Sequence, residues 1–266
     1  QERKTLQQAL VQCLLSHRCI PCTKAQTMYR HLAEHLGHED KWDEDLEAMQ
    51  HSLQPLGFEV RSCHDERSGI VFLVLINTKS DALAQVATPY TASELQYIKT
   101  LDLLMNEATL TTIQIHAIFH ANDNQYALSS TQALQLAMHS QPVPLTKHAA
   151  SQLLENLERR GWLHLSRTIG AYSLTLRALH ELDTYIRTEL EDCVLECLTC
   201  YAIVTQGERC STPACRGAVH TSCVDAYRAG HATCTVCGQA WQTVPVGGIS
   251  TSTRDETTPI PEEPVE

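Results

Sequence analysis

The chain has 266 residues, with 31 acidic against 20 basic side chains, a net charge of −11 and 43% hydrophobic residues. That apolar content allows two or three ordinary buried cores and excludes a disordered polymer, while the charge gives the chain as a whole no electrostatic footprint for gripping phosphate backbones. The longest apolar run, IVFLVLI from Ile70 to Ile76, is far short of the roughly 18 to 20 residues that cross a bilayer, so the chain reads as soluble and without a membrane partner. It starts at Gln1, without a Met or a signal-peptide pattern, a start compatible with trimming.

Apolar residues recur at Leu6, Leu10, Cys13 and Leu14, at Ala25, Met28, Tyr29, Leu32 and Leu36, and at Leu46, Met49, Leu53 and Leu56. Those spacings predict three amphipathic helices, the third ended by Gly57. Phe58 to Arg61 and Ile70 to Ile76 then read as two strands around a polar turn containing Ser68 and Gly69. Three helices followed by a hairpin describe a winged helix over residues 1–80. A polar, Ala-rich connection runs from Lys79 to Tyr90, after which helical spacing returns at Leu95, Ile98, Leu101 and Met105, at Ile113 to Phe119, at Leu134 to Met138, and at Ala150, Leu153, Leu154 and Leu157. This last helix has Thr146 as N-cap and Gly161 just past its end. Short strands around a Gly turn fill Gly161 to Leu179, and a closing helix runs to about Leu190. Residues 91–190 therefore give a second and better marked winged-helix pattern.

Winged helices often read DNA through their third helix. Here Thr146 to Arg160 sets Lys147, Arg159 and Arg160 against Glu155 and Glu158, a near balance that does not make a phosphate-tracking face. A protein-docking platform is the preferred reading, and direct DNA binding by this chain alone is not expected.

Seven of the twelve cysteines fall between Cys197 and Cys237, and none lies between Cys63 and Cys193. A secreted disulfide scaffold would spread its bridges, so the cluster points to metal in a reducing compartment. The potential ligands are Cys197, Cys200, Cys210, Cys215, His220, Cys223, Cys234 and Cys237, with CxxC pairs at both ends and HxxC in the middle. Zinc prefers four tetrahedral thiolate or imidazole ligands, and a two-residue gap lets one tight turn supply two of them. Eight ligands mean two Zn2+ ions, structural because full ligation leaves no open position for a metal-bound water. Residues 193–243 contain few large apolar residues, so metal binding worth roughly 10 to 16 kcal/mol per site would have to hold this domain together. His231 is a rival imidazole; the HxxC spacing favours His220. Cys19 and Cys22 form another CxxC and His64 follows Cys63, but nothing fixes their proximity, and no third site is expected from them. Cys193 is expected to end the preceding helix, and His31, His35 and His38 read as surface or half-buried helix positions. Residues 247–266, rich in Ser, Thr and Pro and ending PIPEEPVE, are expected to be a disordered acidic tail.

This ligand order resembles the RING superfamily in its variant with four Cys, one His and three Cys. The resemblance implies cross-brace pairing, with Cys197, Cys200, His220 and Cys223 on one ion and Cys210, Cys215, Cys234 and Cys237 on the other. Plant homeodomain fingers have the same order but usually carry an aromatic residue two positions before the seventh ligand, where this chain has Ala232; Trp241 reads as a small-core anchor. Two winged helices followed by such a zinc domain, with LEC at 195–197 and the GWL…YSLTLRALHEL segment, resemble the non-structural maintenance of chromosomes element 1 family over about residues 4–242. The implied fold is multidomain α+β: tandem winged helices, then a small cross-brace double-zinc domain. The implied setting is the nucleus and chromosome, in the SMC five-six genome-maintenance and DNA-repair complex, with a MAGE-family subunit bound through the winged helices and a kleisin subunit nearby. The family's RING variant is regarded as a ubiquitin ligase assisted by the MAGE partner. Such a ligase orients a charged ubiquitin-conjugating enzyme, so no catalytic nucleophile or base is expected in the chain. The resemblance implies contact with that enzyme through Leu198, through Val224 and Tyr227 on a helix from Ser222 to Ala229, and at Val236. Val236 replaces the usual Pro and Gly238 the basic residue of active RINGs, which argues against efficient autonomous activity. The competing reading is a non-catalytic subunit whose zinc domain only mediates protein contacts.

Overall fold

The structure is a computed structural model that describes residues 2–78, 117–119, 125–138 and 145–247. The described residues form a mixed α+β structure built around three three-stranded antiparallel sheets. Among the described residues no helix is long and apolar enough to cross a membrane.

The first unit runs α1 (Glu2–His17), β1 (Cys19–Pro21), α2 (Cys22–His35), α3 (Trp42–Leu53), β2 (Phe58–His64) and β3 (Val71–Asn77), with sheet order β1-β3-β2. The three expected helices and the hairpin are present, and β2 continues three residues past Arg61 in register with β3, from Phe58 opposite Asn77 to His64 opposite Val71. Strand β1 is invisible to periodicity, which reads Cys19 to Cys22 as a simple link between helices. Cys19 to Pro21 instead pair with Val74 to Phe72 at the open edge of β3, where Pro21 is tolerated because edge strands leave amides unpaired. A one-turn 3-10 helix, Gln54–Leu56, ends the third helix, and Gly57 takes a φ of 82°, a left-handed conformation open chiefly to glycine.

The uninterrupted apolar run in β3 has a physical reason: both faces of this central strand are covered. Leu73 and Leu75 face Leu6, Leu10, Leu14, Tyr29 and Met49 in the helical core. Val74 and Ile76 point the other way, with Cys63, Cys19 and Phe72, against Leu176 of the second unit.

The second unit repeats the order as β4 (Leu128–Ser129), α4 (Ser130–Met138), α5 (Lys147–Arg159), β5 (Leu163–Ser166) and β6 (Ala171–Leu174), with sheet order β4-β6-β5. Residues 117–119 are helical, and Ile118 and Phe119 are buried in this core. The helical spacing expected from Leu95 to Met105 lies outside the described residues, as does residue 248 onward in the acidic tail. Helix α5 matches its expected boundaries: Thr146 Oγ1 accepts a hydrogen bond from Ala149 N at 3.2 Å, and Gly161 has a φ of 72°. The single closing helix is in fact two, α6 (Leu176–Glu181) and α7 (Asp183–Glu189), broken at Leu182. Helix α6 lies on β3 of the first unit, where Asn77 N donates to Glu181 Oε1 at 3.4 Å.

The third sheet combines β7 (Gly207–Cys210), β8 (Ala218–His220) and β9 (Thr243–Val246) in the order β8-β7-β9, with α8 (Val224–Gly230) packed beside it. Its apolar residues do not form the small isolated core expected from composition. Val194, Leu195, Ile203, Val204, Val219, Val224, Tyr227 and Val246 belong to one contiguous cluster with Leu153, Leu154, Leu157 and Ile186.

One buried polar contact staples the first unit. Tyr29 Oη donates to Asp45 Oδ2 at 2.6 Å, and Gln7 Nε2 donates to Asp45 Oδ1 at 2.9 Å, joining all three helices at a residue only 2% exposed. Replacing Asp45 by Ala strands the phenol and the amide, so urea unfolding should show the first unit destabilised by about 1 to 3 kcal/mol.

Candidate metal centre

Eight side chains converge in two groups of four. Cys197, Cys200, His220 and Cys223 bring their donor atoms within 4.8 Å of one another, and Cys210, Cys215, Cys234 and Cys237 do the same. Chain order alternates between the groups: two residues to the first, two to the second, two to the first, two to the second. This interleaving is the pairing that the RING resemblance implied.

Local structure explains the convergence. Cys197 N donates to Ala202 O and Tyr201 N to Cys197 O, closing the turn that carries Cys200. Cys234 N donates to Gln239 O and Gly238 N to Cys234 O, closing the turn that carries Cys237. Cys210 ends β7, His220 ends β8, and a single 3-10 turn, Thr221–Cys223, delivers Cys223 before α8 begins. Gly217 threads between the groups: a Cβ there would stand 2.8 Å from Cys234 Sγ and 3.5 Å from Leu198 Cδ1, so only glycine lets the backbone pass.

The distances test the fit of an ion. A tetrahedron with Zn–S bonds of about 2.3 Å has edges of about 3.8 Å. Cys210 Sγ to Cys237 Sγ and Cys215 Sγ to Cys234 Sγ are both 3.7 Å, while His220 Nδ1 lies 3.3 Å from Cys200 Sγ and 3.8 Å from Cys223 Sγ. Sulfur pairs at 3.7 Å are far outside the roughly 2.05 Å of a disulfide. His220 Nε2 sits 3.0 Å from the Ile203 carbonyl. A carbonyl can only accept, so Nε2 carries the ring proton and the lone pair of Nδ1 faces the thiols, as a metal ligand requires. The backbone amide of Gln239 holds the Cys237 thiol below the ordinary value, whereas burial raises Cys215 in the same group; zinc binds the thiolate form. The domain thus has two Cys/His clusters that fit two zinc ions, each complete with four protein donors.

The rival His231 is not brought in: it is exposed and stacks on Tyr227 at a centroid distance of 4.8 Å. Trp241 packs against Tyr227 at a centroid distance of 4.6 Å, at the edge of the shared core. Among the described residues the early cysteines form no group with metal-ligand geometry. Cys63 and Cys19 instead pack in the apolar layer under α6, where burial pushes their thiols up to about 12 and about 11. Cys193 closes a 3-10 turn after α7, its carbonyl accepting from Tyr126 Oη at 2.8 Å.

The residues expected to meet a conjugating enzyme fall into two sets. Leu198 and Val236 line one shallow cavity of about 390 Å³ together with Val194 and Arg216, and Val236 is 56% exposed. Val224 and Tyr227 are buried instead, at 7% and 3%, and Tyr227 Oη accepts from Thr235 N at 3.0 Å. Their side chains leave little surface for a partner.

Spacing arguments missed the surroundings of His220. Glu66, in the β2–β3 turn of the first unit, is buried and accepts from Thr205 N at 3.0 Å and Thr205 Oγ1 at 3.1 Å. Its Oε1 stands 3.9 Å from His220 Nε2. No local pattern marks a glutamate in a polar turn as buried.

The family model described as the Nse1 non-SMC component of the SMC5-6 complex matches residues 7–182, and a RING-like domain model matches residues 197–237. Similar proteins include the non-structural maintenance of chromosomes element 1 homolog of Xenopus laevis, 28% identical over 240 residues, 88% of this chain and 82% of that protein. The Schizosaccharomyces pombe protein is 26% identical over 215 residues, 81% of this chain and 83% of its own. The human homolog is 26% identical over 205 residues, 76% and 70% respectively. A chain in a solved Nse1-Nse3-Nse4 complex has a similar fold, with a TM-score of 0.72, 24% identity and coverage of 89% of this chain and 96% of that one.

Two outcomes follow from the geometry. Native mass spectrometry should find two zinc ions in the wild type and one in a Cys234→Ser variant, and a single ion in the wild type would rule out paired tetrahedral sites. At pH 8 iodoacetamide should alkylate Cys19 and Cys63 at least about 100-fold more slowly in the native chain than in urea, because raised thiol pKa values suppress the thiolate and burial blocks access.

Proposed function

The chain belongs to the Nse1 family, described as the non-SMC component of the SMC5-6 complex, and on that premise we propose that it is a nuclear, chromosome-associated subunit acting in DNA repair as a partner-stimulated RING-type ubiquitin ligase. The observation that carries the ligase reading is the RING-like domain with its two four-donor clusters and, beside them, Leu198 and Val236 opening onto one shallow surface.

Under this reading the first ion is held by Cys197, Cys200, His220 and Cys223, and the second by Cys210, Cys215, Cys234 and Cys237. When bound, zinc supplies rigidity and no reaction chemistry. The chain's own part is positioning: Leu198 and Val236 meet the conjugating enzyme, Val224 and Tyr227 hold that surface from beneath, and the thioester is presented to a substrate lysine. The units are proposed as residues 1–80, 91–190 and 193–243, with 247–266 as an acidic tail; their described residues share apolar contacts, and the two repeated helix-and-sheet units serve as winged-helix docking platforms. The partners are a MAGE-family Nse3 and a kleisin Nse4, named in the complex whose chain is similar to this one.

DNA contact is left to those partners. A cleft of about 900 Å³ between the units is lined by Arg18, Arg67, Arg159, Arg160 and Arg177, but Arg67 bonds Gln206, Arg159 bonds Asn156 and Arg177 pairs with Glu181. The burial of Val224 and Tyr227, with Gly238 in place of a basic residue, favours a second reading in which the zinc domain only joins neighbouring subunits.

Ubiquitin-chain formation decides between them. The purified chain with its MAGE-type partner and a panel of conjugating enzymes should build chains, and Leu198→Ala, with both zinc ions retained, should reduce the rate at least about tenfold. Absence of chains above background in wild type and variant alike would leave only the structural reading.

A further inference from the structure

The β2–β3 turn of the first unit inserts beside the first four-donor group, although 139 residues separate Glu66 from Thr205. Asp65 shapes the turn, its Oδ1 accepting from Ser68 N at 2.8 Å and Ser68 Oγ at 2.6 Å, and a Cβ added at Gly69, which has a φ of 68°, would stand 3.2 Å from Ser222 Cβ. Ser222 N donates to Glu66 O at 3.0 Å, and Ser222 directly precedes Cys223. Arg67 Nη2 donates to Gln206 Oε1 at 2.8 Å. The turn therefore grips both segments that carry the imidazole's surroundings, residues 205–206 and residue 222.

At the centre of this contact Glu66, Thr205 and His220 are all buried, at 8%, 6% and 5% exposure. Both Glu66 oxygens are engaged by Thr205, two residues after Ile203, whose carbonyl holds His220 Nε2. Burying a carboxylate is expensive unless its hydrogen bonds are specific, and here they are spent on the loop that orients one imidazole. Residues that hold the far nitrogen of a ligating histidine fix its ring and its protonation pattern.

We propose that Glu66 is a positioning residue for the first zinc site: through Thr205 and the Ile203 carbonyl it locks the His220 ring with Nδ1 toward Cys197, Cys200 and Cys223, so that retention of one metal ion depends on a turn in the first unit. This rests on the assignment of these residues as zinc ligands. The second group, Cys210, Cys215, Cys234 and Cys237, has no such contact from the first unit among the described residues and is an internal control.

Cobalt substitution separates the sites, because a site of three thiolates and one imidazole and a site of four thiolates give different visible spectra. In the full chain, Glu66→Ala should release metal from the imidazole-containing site to a chelator about 10- to 100-fold faster and shift that site's spectrum, with the all-thiolate site unchanged. Glu66→Gln, which keeps size and an acceptor for Thr205, should restore part of the retention, and it decides the matter alone if the Ala variant does not fold. Arg67→Ala, which removes only the neighbouring bond to Gln206 and leaves the Asp65–Ser68 turn and the Glu66–Thr205 bonds in place, should leave both sites as in the wild type. Equal loss from both sites, unchanged release in the Gln and Ala variants, or an Arg67→Ala effect as large as that of Glu66→Ala would each overturn the proposal. A wild type that binds fewer than two ions would instead overturn the zinc assignment beneath it.

Discussion

Thiolates repel one another, and each of the two clusters crowds three or four of them, with or without an imidazole, until their donor atoms lie within 4.8 Å of one another. At an effective dielectric of about 20, each pair of unit charges about 4 Å apart opposes the arrangement by about 4 kcal/mol. Protonation of the thiols can relieve that repulsion, but only a divalent cation at the centre turns it into attraction and ties four donors together, so metal is what makes this arrangement stabilising. The strands β7 and β8, the short turns and Gly217 are arranged to hold donors at tetrahedral spacing and to let the chain pass between two such centres.

Metal is not the whole of it, because the zinc domain shares its apolar interior with the second unit. Val194 and Leu195, just after the 3-10 turn that follows α7, enter a core that runs from Leu153 to Val246 without a break. Polar ties reinforce the seam: Arg187 bonds Asp183, Glu196 and the Tyr201 carbonyl, and Arg216 bonds the carbonyls of Glu191 and Val194. The first unit joins on the opposite side, through the outer face of β3 against Leu176. The described parts of the three units are thus tied by apolar and polar contacts around a cleft of about 900 Å³, which suits a protein whose proposed work is to position other proteins.

Much of this was legible in the sequence because the relevant signals were local and periodic. The 3.6-residue spacing of Leu153, Leu154 and Leu157, the Thr146 cap and the ligand intervals each report a structure made by neighbours along the chain. The elements that escaped are those without room for a period. Strands of three and two residues, Cys19–Pro21 and Leu128–Ser129, exist only because β3 and β6 offer them an edge. The burial of Val224 and Tyr227 depends on a core shared with distant helices, and the fate of Glu66 on a partner 139 residues away. No window on the sequence contains such information. IVFLVLI shows the intermediate case: its unbroken apolarity marked a strand, but what covered each face came from tertiary packing.

The long loop closed by Glu66 and Thr205 also sets an order of events during synthesis. At translation rates of about 5 to 20 residues per second, the turn at Glu66 leaves the ribosome roughly 7 to 28 s before its partner. For that interval the first unit presents a hydrated carboxylate on an otherwise finished hairpin, and the outer face of β3 waits for α6. The final desolvation of the first unit is therefore the act of residues made well over a hundred positions after it.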